Sequence, residues 1–148
     1  MNIKKVLPLL FLLIALNCVA QNTVTTISTK TGTHYITSAV DFPIAGTYLF
    51  QGAEPIVELN NNGTGIYQLH ELPKRAMIWG IECNESGALK FIKGFDNVAY
   101  TLWYQYSASS DSDSDTNWNE VPFSIHFNTM KMFIQGERMK EYSGTIEK

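Results

Sequence analysis

From Gly46 onward the chain alternates between apolar and polar positions in short runs, each bounded by turn residues. Period two over four to eight residues is the signature of strands with one buried face. Residues 46–51 and 55–59 make the first two runs. Asn60, Asn61, Asn62 and Gly63 follow, a hairpin turn in which Asn-Gly tolerates the positive φ required. Residues 64–69 return. Residues 76–83 place Met77, Trp79, Ile81 and Cys83 on one face, with Ala76, Ile78, Gly80 and Glu82 on the other. A turn at 84–87 leads into a returning run at 88–93, and 94–97 turn the chain again. The most aromatic strand is 98–106: Tyr100, Leu102, Tyr104 and Tyr106 share one face, and Ala99, Thr101, Trp103 and Gln105 share the other. After a polar link at 107–119, Phe123, Ile125 and Phe127 alternate with Ser124 and His126. Met130, Met132 and Ile134 then alternate with Lys131, Phe133 and Gln135. Residues 136–142 close the pattern as a last strand or a short turn.

No stretch holds a helical period with caps, so the chain is predicted to be all-β. Short links favour an antiparallel up-and-down meander of about eight strands that closes into a barrel, because closure removes exposed edges. The rival is a two-sheet β-sandwich, which would need crossover connections; only the 107–119 link is long enough to supply one. The barrel domain is assigned to 43–142 and a tail to 143–148. Residues 21–42, rich in threonine and serine, form a polar lead-in or a frayed first strand.

The first twenty residues follow a different logic. Lys4 and Lys5 precede an apolar run at 6–16, and Cys18, Val19 and Ala20 end it with small residues. This is the layout of a secretory signal peptide, with cleavage expected between Ala20 and Gln21. The run is too short to span a membrane. A competing reading makes Cys18 the lipidated first residue of a lipoprotein, although Asn17 stands where a small residue is expected. Cleavage at Ala20 leaves 128 of the 148 residues and removes two lysines and no acid, so the net charge moves from −3 to −5. An acidic chain without clustered Lys and Arg is not expected to bind nucleic acid or anionic lipid. Of the two cysteines only Cys83 would remain, so no intrachain disulfide is available and the apolar core must hold the fold.

Three features carry a resemblance. Gly46, Thr47 and Tyr48 open the first clear strand, the turn between Leu59 and Thr64 makes the first hairpin, and Arg138 lies near the end. Together they resemble the lipocalin-like (calycin) group of small exported β-barrels, in which Gly-x-Trp opens the first strand. The Cys18, Val19, Ala20 end followed by Gln21 is also similar to those of proteins that Bacteroidetes secrete. The resemblance implies a barrel closed at its base by Arg138 stacked on Tyr48 through a cation–π contact, and an interior that takes a small apolar ligand. Tyr48 stands in place of the tryptophan, and no disulfide is present.

Catalytic motifs are missing. There is no Gly-x-Ser-x-Gly, no glycine-rich phosphate loop and no Cys/His pair, and nothing selects two carboxylates among Glu54, Glu58, Glu71 and Glu82. The expectation is a non-enzymatic protein, exported to the periplasm or beyond. An apolar or amphipathic ligand would be lined by Met77, Trp79, Ile81, Trp103, Phe123, Ile125 and Met132. The alternative is a cell-surface or secreted interaction module that holds a protein or glycan through an aromatic patch or the acidic 107–119 link. No cofactor is expected. Calcium is the metal the sequence comes nearest to: Asp111, Asp113 and Asp115 alternate as its ligands would, but Thr116 and Pro122 replace the glycine and bidentate acid of a calcium loop. His34, His70 and His126 are scattered and carry no zinc spacing.

Overall fold

A computed structural model of the chain describes residues 23–108 and 116–145. Among these residues there are eleven strands and no helix. No helix is long and apolar enough to cross a membrane. The expected signal peptide with its Ala20–Gln21 junction, Cys18, and the Asp111, Asp113 and Asp115 run expected of a calcium site all lie outside the described residues.

Eight strands form a closed antiparallel ring: β3 (Gly46–Phe50), β4 (Ala53–Leu59), β5 (Thr64–Tyr67), β6 (Arg75–Cys83), β8 (Asn97–Tyr106), β9 (Asn119–His126), β10 (Lys131–Ile134) and β11 (Arg138–Glu141). Each pairs with the next, β6 with β8, and β11 returns to β3. The predicted up-and-down barrel is therefore the fold. Its membership differs from expectation at one point. The returning run at 88–93 does not enter the ring; only β7 (Phe91–Lys93) is a strand, paired with β8 beyond the end of β6. The closing residues 136–142 supply the eighth ring strand instead, because Gly136, with φ 72°, turns the chain tightly enough to pair Ile134 with Arg138.

Three strands lie outside the ring. Besides β7, these are β1 (Thr25–Thr29) and β2 (Gly32–Thr37), a hairpin made from the polar lead-in. The sheet branches at β6. One edge of β6 pairs with β5 through Arg75–Ile78, then with β2 through Ile81–Cys83. The hairpin curls back over the outer wall of the barrel, and Gly80 gives it room: a Cβ there would stand 2.9 Å from the Ile36 Cβ. Ile27, Ile36 and Trp103 form a second small core under the hairpin, with Trp118 packed against it.

Alternation fills the interior. Tyr48, Val57, Leu59, Tyr67, Met77, Trp79, Ile81, Leu102, Tyr104, Phe123, Ile125, Met132 and Ile134 form one buried cluster. At the end where β3 starts, Ile44 accepts a hydrogen bond from the Tyr48 hydroxyl on its carbonyl (2.6 Å), and Phe42 packs on Tyr100 and Phe123. The opposite end is closed by a stack. Tyr67 and Tyr104 lie face to face at 4.5 Å, Arg138 covers Tyr67 at 5.2 Å, and Arg75 covers Tyr106 at 3.8 Å. Burial pushes the Tyr67 phenol up to about 12, with the Arg138 charge acting the other way.

Arg138 does bury itself at a barrel end, but its aromatic partner is Tyr67. The reason is register. Arg138 sits across from Phe50 and Met139 from Leu49, so two steps along the ladder it is Lys140 that comes beside Tyr48, 6.0 Å from the ring.

Candidate functional site

The residues expected to line a ligand do not form one surface. Met77, Ile81, Phe123, Ile125 and Met132 are 0–2% exposed, and Trp79 is 3% exposed. Side chains bordering an empty ligand-sized space would keep area open to a water-sized probe; these keep almost none, and they touch each other. They are core. Trp103 is separate from them: Gly80 is its cross-strand partner, on the face of β8 opposite Tyr104, so its ring points out of the barrel. It is nonetheless 3% exposed, because the β1–β2 hairpin covers it.

Trp103 is held from several sides. Its indole N–H donates to Glu82 Oε2 (3.2 Å), and the His34 ring lies 4.6 Å away. Glu82 Oε1 also accepts from Lys90 Nζ (3.0 Å) and lies 3.3 Å from His34 Nδ1. The other ring nitrogen of His34 is 3.0 Å from the Thr31 hydroxyl. One carboxylate thus clasps the hairpin to the barrel. Burial pushes the Glu82 carboxyl up, but the hydrogen bonds from Lys90, Trp103 and His34 outweigh it and hold the group below the usual glutamate range. The ion therefore stabilises the clasp above that range, and the contribution is lost as the pH falls through the depressed folded value. Glu82→Gln is expected to weaken the hairpin by about 1–2 kcal/mol at neutral pH and to abolish an acid-induced red shift of Trp103 fluorescence. An acid transition identical in the variant would contradict this role.

Beside the clasp lies an open groove of about 660 Å³ on the outer wall. Ser28 and Thr29 at the end of β1, with Lys30 and Thr31 of the β1–β2 turn, form one bank. Trp103 and Gln105 of β8, with residues 116–120, form the other. Local hydrogen bonds order the second bank: the Gln105 side-chain amide donates to the Thr116 carbonyl, and Asn119 Nδ2 donates to the Asn117 carbonyl at 3.1 Å. Trp118 is half-buried, resting on the small core beneath. The lining is hydroxyls, side-chain amides and one partly exposed indole, with one cation, Lys30, against one anion, Glu120. Such a surface offers paired donors and acceptors with little net charge. It suits hydroxyl groups better than phosphate or a metal. Among the described residues no three His, Cys, Asp or Glu come together to hold a metal ion.

Of these residues, sequence reasoning reached Trp103, which it assigned to the wrong side of the wall, and the 107–119 link, whose residues 116–119 line the groove as its alternative reading would need. Strict alternation with Tyr104 was the available signal. Residues 28–31 fell in the polar lead-in and 116–119 in the polar 107–119 link, and their meeting depends on the hairpin's fold-back. His126 is half-buried, its ring 3.2 Å from the Ser124 hydroxyl and edge-to-face with Phe133. Cys83 is buried, as expected of a small apolar residue, and burial pushes its thiol up. No family model matches this chain, and comparison with curated proteins and with solved structures gives no match.

Proposed function

We propose that this protein is a non-enzymatic binding module whose filled barrel is a scaffold and whose outer groove holds a polar, polyhydroxylated ligand, an oligosaccharide. The observation that carries the reading is the contrast between the two candidate surfaces. Core side chains such as Ile81, Phe123 and Met132 have no accessible area, whereas the groove beside Trp118 is open and lined by amides and hydroxyls. A sugar ring would lay its C–H face on the Trp118 indole and exchange hydrogen bonds with Gln105, Asn119 and Thr29. The amino-terminal signal pattern supports work outside the cytoplasm, and an eight-stranded ring in simple order agrees with the lipocalin-like resemblance, which we keep as part of the proposal.

Binding is expected to be seen in a glycan array and quantified by calorimetry. Trp118→Ala should weaken it roughly five- to tenfold, while Met132→Leu, deep in the barrel, should leave affinity unchanged. Affinity for no saccharide, or affinity indifferent to Trp118→Ala, would overturn the assignment.

A further inference from the structure

The exposed apolar residues at the β7–β8 hairpin point to an interface. Phe91 is 58% exposed, Ile92 78% and Phe95, at the turn, 100%. β7 ends the sheet and pairs with β8 alone. Its outer edge can be deduced. Gly94 N–H donates to the Asn97 carbonyl (2.9 Å), which makes 94 and 97 a hydrogen-bonded pair. Alternation along an antiparallel ladder makes Ile92 and Ala99 the next such pair. Phe91 and Lys93 therefore direct their N–H and C=O groups away from β8, leaving an unpaired edge flanked by large apolar side chains.

We propose that this edge joins a second copy of the chain, β7 against β7, antiparallel about a two-fold axis at Ile92. Only Phe91 and Lys93 carry outward backbone groups, so a symmetric pairing must centre on Phe91, Ile92 or Lys93. Centring on Lys93 opposes two like charges. Centring on Phe91 sets Lys93 against Leu89 of the partner subunit, and Leu89 already bridges Cys83. Centring on Ile92 places Phe91 against the partner's Lys93 twice, using every outward group, and sets the two Ile92 side chains together. This register is self-complementary, as a two-fold interface requires. A phenylalanine buries roughly 150–250 Å² when wholly covered, and Phe91 is already partly covered in the monomer, so two copies of Phe91, Ile92 and Phe95 stay below the ~1,000 Å² minimum of a specific interface. The dimer should accordingly be weak and reversible.

Sedimentation velocity from low micromolar to millimolar concentration tests this. The protein should pass from monomer to dimer, and Ile92→Lys, at an exposed site that leaves the unfolding midpoint in place, should weaken association at least about tenfold. A second readout fixes the register. In the non-hydrogen-bonded pair the two Ile92 Cα atoms would lie about 4.5 Å apart, within disulfide range. Ile92→Cys should oxidise to a covalent dimer faster than Phe91→Cys, Lys93→Cys or the parent chain. A chain monomeric throughout, a dimer indifferent to Ile92→Lys, or equal cross-linking at Phe91→Cys would overturn the proposal. Monomer that binds phosphatidylcholine vesicles and loses that binding in Phe95→Ser would also overturn it, assigning the tip to a lipid surface.

Discussion

Arg138→Ala is expected to cost about 3–5 kcal/mol of stability, the loss typical when one member of a buried charged network is removed. Arg138 is fully buried. One guanidinium nitrogen donates to the Gln68 carbonyl at 2.7 Å, and another pairs with the Glu137 carboxylate. The plane of the group covers Tyr67, which in turn stacks on Tyr104. Alanine would leave a void at the barrel end, an orphaned Gln68 carbonyl and an uncovered ring. Glu137, one-third exposed, can take up water and adds little to the loss. Arg138→Met keeps volume and should recover about half of the penalty. Arg138→Lys should recover less than Arg138→Met, because one ammonium cannot reproduce the fork that serves Gln68 and Glu137 together. Chemical denaturation followed by tryptophan fluorescence measures all three; a loss under about 1 kcal/mol for alanine would contradict the stack's role.

Gly65→Ala is expected to be nearly as damaging, at about 3 kcal/mol, for a different reason. Gly65 stands across from Leu59 where β4 and β5 leave their hairpin. Its added Cβ would overlap the Glu58 carbonyl oxygen, a backbone atom that cannot swing aside, and would press on Met77 Cε at 3.0 Å. The strand pair would have to splay, and the ring would have to follow. Gly52 is the control: nothing lies within 4 Å of its would-be Cβ. Gly52→Ala should cost about 1 kcal/mol, from its positive φ alone. Equal midpoint shifts for the two variants would remove the close-approach explanation.

The ring was legible because a closed meander is a local object. Each of its hairpins joins neighbours in sequence, and two-residue alternation tells which side chains face in. On β8 that rule sorts Tyr104 and Trp103 to opposite faces, as the structure has them. What the rule could not say is that the outside of the wall at Trp103 is covered. The cover is a hairpin with Ile27 and Ile36 as its buried apolar residues, set among threonines and polar neighbours. Its pairing with β6 brings Tyr35 to Cys83, a contact no local period encodes. The groove inherits the same difficulty, since residues 28–31 form one bank and Trp103, Gln105 and 116–120 the other. Arg138 shows the finer limit. Its place at a barrel end came only with the lipocalin-like resemblance, and its ring partner turns on a two-residue register between the first and last ring strands. The misplaced β7 has a similar cause: at 88–93 the apolar residues suit a strand, but the turn at Gly87, with φ 85°, carries the chain off the ring.

The central claim is that ligand meets this protein on its outer wall and not within its barrel. It is tested most directly by a nuclear magnetic resonance titration of protein labelled at its methionine methyls and tryptophan indoles, against oligosaccharides and fatty acids in turn. The expected result is a saturable shift of the Trp118 indole, and a smaller one at Trp103, on adding an oligosaccharide, with the methyls of Met77 and Met132 unmoved. Saturable shifts of those two methyls on adding a fatty acid, with Trp118 silent throughout, would contradict it.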